Sequence, residues 1–225
     1  MNPEKLLTLK RHLLLICLVA QSFFIAIFVI ADHTGISEQL VDKIRIKYGS
    51  HAANRIYRWQ RLIHENQEKA ELEKLRLVND FFNDARFIDD IVYWKKKDYW
   101  ATPLEFLTHD TGDCEDFSIA KYFTLKEMGL NTEKLRITYV KALSLNQAHM
   151  VLAYYSTPSS NPMILDNINK QIKTANERKD LRPVYSFNAD ILWLSRTRNQ
   201  QLKVGKPQQL NLWNDLTKRM QRELL

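Results

Sequence analysis

Apolar residues fall at helical spacing through the first third of the chain. Ile36, Leu40, Ile44 and Tyr48 recur every four residues, Gly49-Ser50 interrupts them, and Ile56, Trp59, Leu62 and Ile63 resume the pattern. Two helices joined at the glycine are predicted. A third amphipathic stretch runs from Glu71 to Phe82, with Leu72, Leu75, Val78 and Phe82 expected inward. Thr102-Pro103-Leu104-Glu105 is a capping box with proline at the first helical position, so a short helix begins at Pro103. The next helix starts at Cys114, after Asp110-Thr111-Gly112, and stops near Gly129, a suitable C-cap. Beyond it the period changes. Leu135 to Ala142, Ala148 to Tyr155 and Met163 to Asn167 are rich in β-branched and aromatic residues and read as strands. Val184 to Phe187 and Ile191 to Leu194 read as a further hairpin around Asn188-Ala189-Asp190. After Gly205-Lys206-Pro207, the residues Leu212, Trp213, Leu216, Met220 and Leu224 return to helical spacing.

The N-terminus has a different character. Leu13 to Ala31 is apolar apart from Gln21 and Ser22 and follows Lys5, Lys10 and Arg11. That order reads as a signal peptide or a membrane anchor, with everything after it exported. Residues 1–31 are therefore set apart as leader or anchor, residues 32–198 as the folded domain, and residues 199–225 as a tail carrying an amphipathic helix. Without residues 1–31 the chain holds 30 basic and 25 acidic residues. A surplus that small and dispersed gives no ground for nucleic-acid binding.

Export changes the meaning of the cysteines. Of the two, Cys17 lies in the apolar leader, so the body keeps Cys114 alone and forms no internal disulfide. Cys114 sits between Asp113 and Glu115-Asp116, unlike a core cysteine. Carboxylates raise a thiol pKa, whereas a helix N-terminus capped by Asp113 would favour a thiolate. A hard cation such as calcium, held by Asp113, Glu115 and Asp116, would also offset that charge. Downstream, His149 lies near the start of the second strand and Asp166 on the third, within reach of the imidazole if the two strands pair. A thiol, an imidazole and a carboxylate are the groups a cysteine nucleophile needs. The register is open, because the turn around Pro158 permits several.

Several motifs together resemble one family. Tyr99-Trp100-Ala101-Thr102-Pro103, Gly112-Asp113-Cys114-Glu115-Asp116-Phe117, Tyr122-Phe123-Thr124-Leu125 and Leu145 to Leu152 are similar to the bacterial transglutaminase-like cysteine proteinases of the LapG type. Leu165-Asp166-Asn167 and Pro183 to Asn188 continue the likeness, which spans roughly Trp59 to Leu194. The resemblance implies an α+β fold, papain-like or transglutaminase-like, with a helical N-terminal part and a nucleophile helix packed on an antiparallel sheet. It implies a periplasmic endopeptidase with Cys114 as nucleophile, His149 as general base and acid, and Asp166 orienting the imidazole. It further implies calcium at Asp113, Glu115 and Asp116, a large repeat adhesin cut at adjacent alanines as substrate, and a LapD-type inner-membrane cyclic di-GMP receptor as partner. Anchoring would fall to residues 13–31. Trp100 is one candidate for a second oxyanion donor, with core filling as its alternative role. Acyl transfer to an amine and a non-catalytic calcium-binding module are the rival functions.

Overall fold

The computed structural model describes residues 36–197 and 200–223. The expected leader or anchor, residues 1–31, lies outside the described residues. Among the described residues no helix is long and apolar enough to cross a membrane.

Helices come first. They are α1 (Glu38–Tyr48), α2 (Ser50–Glu65) and α3 (Glu71–Asn83), followed by the two-residue strand β1 (Arg86–Phe87) and a short α4 (Asp90–Tyr93). Gly49, at φ 88°, separates α1 from α2 and serves as C-cap of one and N-cap of the other. Leu75, Val78 and Phe82 are buried as the periodicity requires, but Leu72 is exposed. It lies in the first turn of α3, where Glu71 rather than Leu72 meets the domain, through Lys134 and Tyr154. Helix α5 (Pro103–His109) carries the full capping box, with Glu105 N–H donating to Thr102 Oγ1 at 3.1 Å and Thr102 N–H to Glu105 Oε2 at 2.9 Å. Asp110 closes it in the left-handed conformation, φ 55°.

Strand β2 (Thr111–Gly112) pairs parallel with β1 and leads into α6 (Cys114–Glu127). Every residue of α6 from Asp116 to Leu125 is buried. A helix covered on all sides has no polar face, so its polar side chains need internal partners. Thr124 Oγ1 takes the Trp59 indole N–H at 2.7 Å, and Lys121 Nζ donates to Asn79 Oδ1 at 3.0 Å and Asn83 Oδ1 at 2.8 Å.

The sheet follows as β3 (Leu135–Ala142), β4 (Gln147–Tyr154), β5 (Met163–Leu165), β6 (Lys173–Thr174), β7 (Leu181–Phe187), β8 (Leu192–Thr197) and β9 (Gln200–Gly205). Its order is β6-β5-β4-β3-β7-β8-β9, antiparallel throughout. One face packs on α6 through Ile137, Met150, Leu152 and Phe187. On the other, Val140, Ala142, Val151, Ala153, Ile164 and Leu181 form a smaller second cluster. Helix α7 (Asn211–Glu223) ends the described chain.

Two expectations need adjustment. The third strand stops at Leu165, leaving Asp166 one residue beyond it. The boundary placed at residue 198 falls between the paired strands β8 and β9, and the described residues form one compact unit. The second half of that hairpin is Gln200-Gln201-Leu202-Lys203-Val204-Gly205, too mixed in pattern to read as a strand from sequence. Helix α7 docks on the domain: Trp213 stacks on Phe123 with centroids 5.7 Å apart, and Leu216 is fully buried.

Candidate functional site

Cys114 opens α6 with Asp113 at the N-cap position. Helix α6 lies against β4. By alternation Met150 faces α6, while His149 belongs to the opposite face with Val151 and Ala153. His149 nonetheless reaches the same opening near the start of β4. A cleft of about 690 Å³ is lined by Cys114, His149, Met150, Trp100, Tyr139 and Tyr185.

The register left open by sequence is now defined. Leu152 pairs with Leu165 and Ala153 with Ile164. Continued by one step, this puts Asp166 opposite Val151, a diagonal neighbour of His149 on the same face. His149 Nε2 meets Asp166 Oδ1 at 2.8 Å, with both side chains buried. Nε2 thus carries the proton donated to the carboxylate, and Nδ1 keeps a lone pair. The Cys114 thiol donates to Glu115 Oε2 at 3.1 Å rather than to the imidazole. Burial pushes the thiol pKa up strongly, and Glu115 and Asp113 push it further.

Asp166 is held from several sides. Oδ1 accepts the Ile168 N–H at 3.0 Å, Oδ2 meets Arg178 at 2.7 Å, and its carbonyl accepts from Asn83 Nδ2 at 2.9 Å and Lys121 Nζ at 3.2 Å. Burial alone would raise this carboxyl. His149 and Arg178 outweigh it and hold Asp166 well below the ordinary carboxylate range. Burial lowers Lys121, against the pull of Asp166, to about 7. Sequence reasoning missed Arg178 and Lys121. Arg178 lies in an unremarkable Glu-Arg-Lys-Asp run, and Lys121 sits on a helix that reads as apolar, so neither carried a signal.

The acidic residues beside the thiol are joined by two more that sequence did not single out. Ligand oxygens of Asp90, Asp113 and Asp116 lie within 4.8 Å of one another, as do those of Asp90, Asp98 and Glu115. The parallel β1–β2 pair brings this about, by laying the segment that enters α4 beside the one that enters α6. Asp116, fully buried, accepts Ala101 N–H at 2.6 Å on Oδ1 and Asp113 N–H at 3.2 Å on Oδ2. Burial raises Asp113, Glu115 and Asp116; nearby carboxylates add to it for Asp113 and Asp116, whereas hydrogen bonds to Asp113 and Cys114 oppose it for Glu115. Asp90 Oδ1 and Asp113 Oδ1 are buried with no hydrogen-bond partner. An all-oxygen, multiply charged donor set with orphaned atoms suits a hard divalent cation.

Comparisons with known proteins agree with one another. The family described as bacterial transglutaminase-like cysteine proteinase matches residues 51–181. Solved structures of Legionella pneumophila LapG match at 43% identity and a TM-score of 0.69, covering 80% of this chain and 97% of that one. Its calcium-bound form matches at 43% identity and 0.70, covering 82% and 99%. The EGTA-treated form matches at 44% and 0.70, covering 80% and 97%. No curated protein sequence matches the chain.

Proposed function

Because this chain belongs to the bacterial transglutaminase-like cysteine proteinases, and to their LapG type, we propose that it is a calcium-dependent endopeptidase with Cys114, His149 and Asp166 as its catalytic residues. The observation that carries the reading is one cleft lined by Cys114 at a helix start and by a His149 whose Nε2 is committed to a buried Asp166.

The steps follow from that arrangement. His149 Nδ1 takes the thiol proton, and the Cys114 sulfur attacks the scissile carbonyl carbon. The oxyanion develops near the Cys114 N–H at the start of α6. The proton then passes from Nδ1 to the leaving amine as the C–N bond breaks. Water attacks the thioester, gives its proton to Nδ1, and releases the acid and the free thiol. Asp166 keeps the imidazole in the tautomer these steps require.

Asp113, Glu115 and Asp116 are the residues that would hold calcium, with Asp90 and Asp98 as further donors. Bound there, the ion supplies positive charge that offsets the carboxylates disfavouring the thiolate. Asp116 already spends a lone pair of each oxygen on backbone N–H groups. Asp90, Asp98, Asp113 and Glu115 are therefore the freer ligands.

In this reading the body works in the periplasm, released from its leader or held at the inner membrane by residues 13–31. Its substrate is the N-terminal region of a large repeat adhesin, cut at adjacent alanines, so that cleavage frees a cell from a surface. A LapD-type cyclic di-GMP receptor sequesters it. The charged-then-apolar N-terminus and the motifs around Cys114 and His149 support this setting.

The test is a peptide carrying adjacent alanines, incubated with the protein and followed by mass spectrometry. Cleavage should occur with calcium, stop in EGTA, return on adding calcium back, and be absent from a folded Cys114→Ser protein. An uncut peptide in calcium, or undiminished cutting by Cys114→Ser, would overturn the assignment.

A further inference from the structure

Tyr139 and Tyr185 line the cleft and stack on each other, with centroids 5.0 Å apart and rings 6° from parallel. They are directly opposed partners on β3 and β7. The same register continues outward, with Tyr185 opposite Leu194 on β8 and Leu194 opposite Leu202 on β9. Directly opposed residues of antiparallel strands share a face. One row of apolar side chains therefore runs from the cleft wall to the last strand of the sheet. Tyr139 and Tyr185 are half-buried, but Leu194 is 45% exposed and Leu202 43%. Single exposed leucines need no explanation. Two of them in register with two cleft-wall tyrosines make the row continuous with the cleft.

We infer that the substrate cleft extends beyond Tyr185 as an apolar track over Leu194 and Leu202, and that this track receives the polypeptide on one side of the scissile bond. The inference rests on the protease reading given above and adds where recognition away from the cut takes place. Three interstrand steps span about 14 Å, the length of about four residues of extended chain. The occupant is thus a short extended segment with aliphatic or aromatic side chains, lying across the strands rather than adding to the sheet edge. Leu212, at the start of α7, lines the same cleft and flanks the entrance to the track.

The experiment uses calcium-loaded full-length protein and three peptides sharing one cleavable core. One peptide is trimmed to two residues on each side of the bond, and the others are extended by a leucine-containing segment on one side or the other. The Leu194→Ser/Leu202→Ser protein should cut the trimmed peptide as the wild type does. It should lose about tenfold in kcat/KM, through KM, on one of the extended peptides. Melting temperatures of this protein and of Leu202→Ser alone report folding independently, and the single variant should show a smaller loss on the same peptide. Equal rates on every peptide, or an equal loss on all three, would overturn the track. So would a wild-type dimer that the double substitution converts to monomer with peptide preference unchanged, since the row would then be a contact between copies. A wild type that cuts none of the peptides refutes the protease reading itself, and the track with it.

Discussion

A methyl group at Gly112 would sit 2.6 Å from Asp116 Cβ and 2.8 Å from Phe106 Cδ2, both buried. Neither neighbour is the free end of a flexible chain. Gly112→Ala should therefore cost about 1–3 kcal/mol by overpacking and displace Asp116, lowering both the melting temperature and kcat/KM. Arg178 makes a different case. Removing one partner of a buried ion pair costs about 3–5 kcal/mol, so Arg178→Met should destabilise the protein by that order in a denaturant titration. It should also change the pH profile. Asp166 has a depressed folded-state pKa. Its stabilisation is thus present above the unfolded value of about 3.9 and is lost only as pH falls through the lower folded value. In Arg178→Met the folded value moves up toward the unfolded one, so the further loss on acidification should be smaller and complete at higher pH, seen as a shallower fall in melting temperature from about pH 7 down to about pH 3. Cys114, His149 and Asp166 were legible because each carries chemistry that is conspicuous in its setting. Arg178, Lys121, Asp90 and Asp98 were not, because their roles arise only where distant segments meet.

At the level of elements, the periodic signals were reliable where one face is buried and the other is not. Helices α2, α3 and α5 and strands β3 and β4 lie close to where pattern and capping put them. Short edge strands were invisible, since two residues such as Lys173–Thr174 have no period. The tail's amphipathic spacing suits docking on the domain, and α7 is fastened to the segment that shapes the cleft. Arg219 donates to the Trp100 carbonyl, pairs with Glu105 and lies over the Tyr99 ring at 4.4 Å, while Thr102 Oγ1 donates to Glu223 at 2.6 Å. Trp213→Ala should cost about 3–5 kcal/mol, measurable by denaturant unfolding. Burial raises Glu223 to about 7, with Glu105 adding to the effect against the opposing hydrogen bond from Thr102. A carboxyl with a raised folded-state pKa destabilises the fold progressively as pH climbs from its unfolded value, about 4.3, to the folded one. Glu223→Gln should therefore raise the melting temperature at pH 8 and leave it nearly unchanged at about pH 4.

For the whole molecule, calcium held as proposed by carboxylates from residue 90 to residue 116 would tie several segments together at once. Calcium at about one hundred times its Kd should add about 2.7 kcal/mol. For a domain of this size that is a fall of about 5–10 °C in melting temperature on chelation, readable by calorimetry with and without EGTA. An unchanged melting temperature would remove the ion from the structural account. The order of the sheet has a consequence of its own. Strands β3 to β6 follow one another as a meander, β7 to β9 follow as another, and the two meet in the sheet at the β3–β7 pairing. His149 and Asp166 belong to the first meander, whereas Tyr185, Leu194 and Leu202 belong to the second. On the proposed reading, the imidazole and its carboxylate lie on one stretch of chain and the two leucines of the inferred track on another. A hybrid in which residues 181–205 come from a relative with a different target should inherit the donor's preferred sequence while keeping the parent's turnover, so that specificity can diverge without disturbing the reaction.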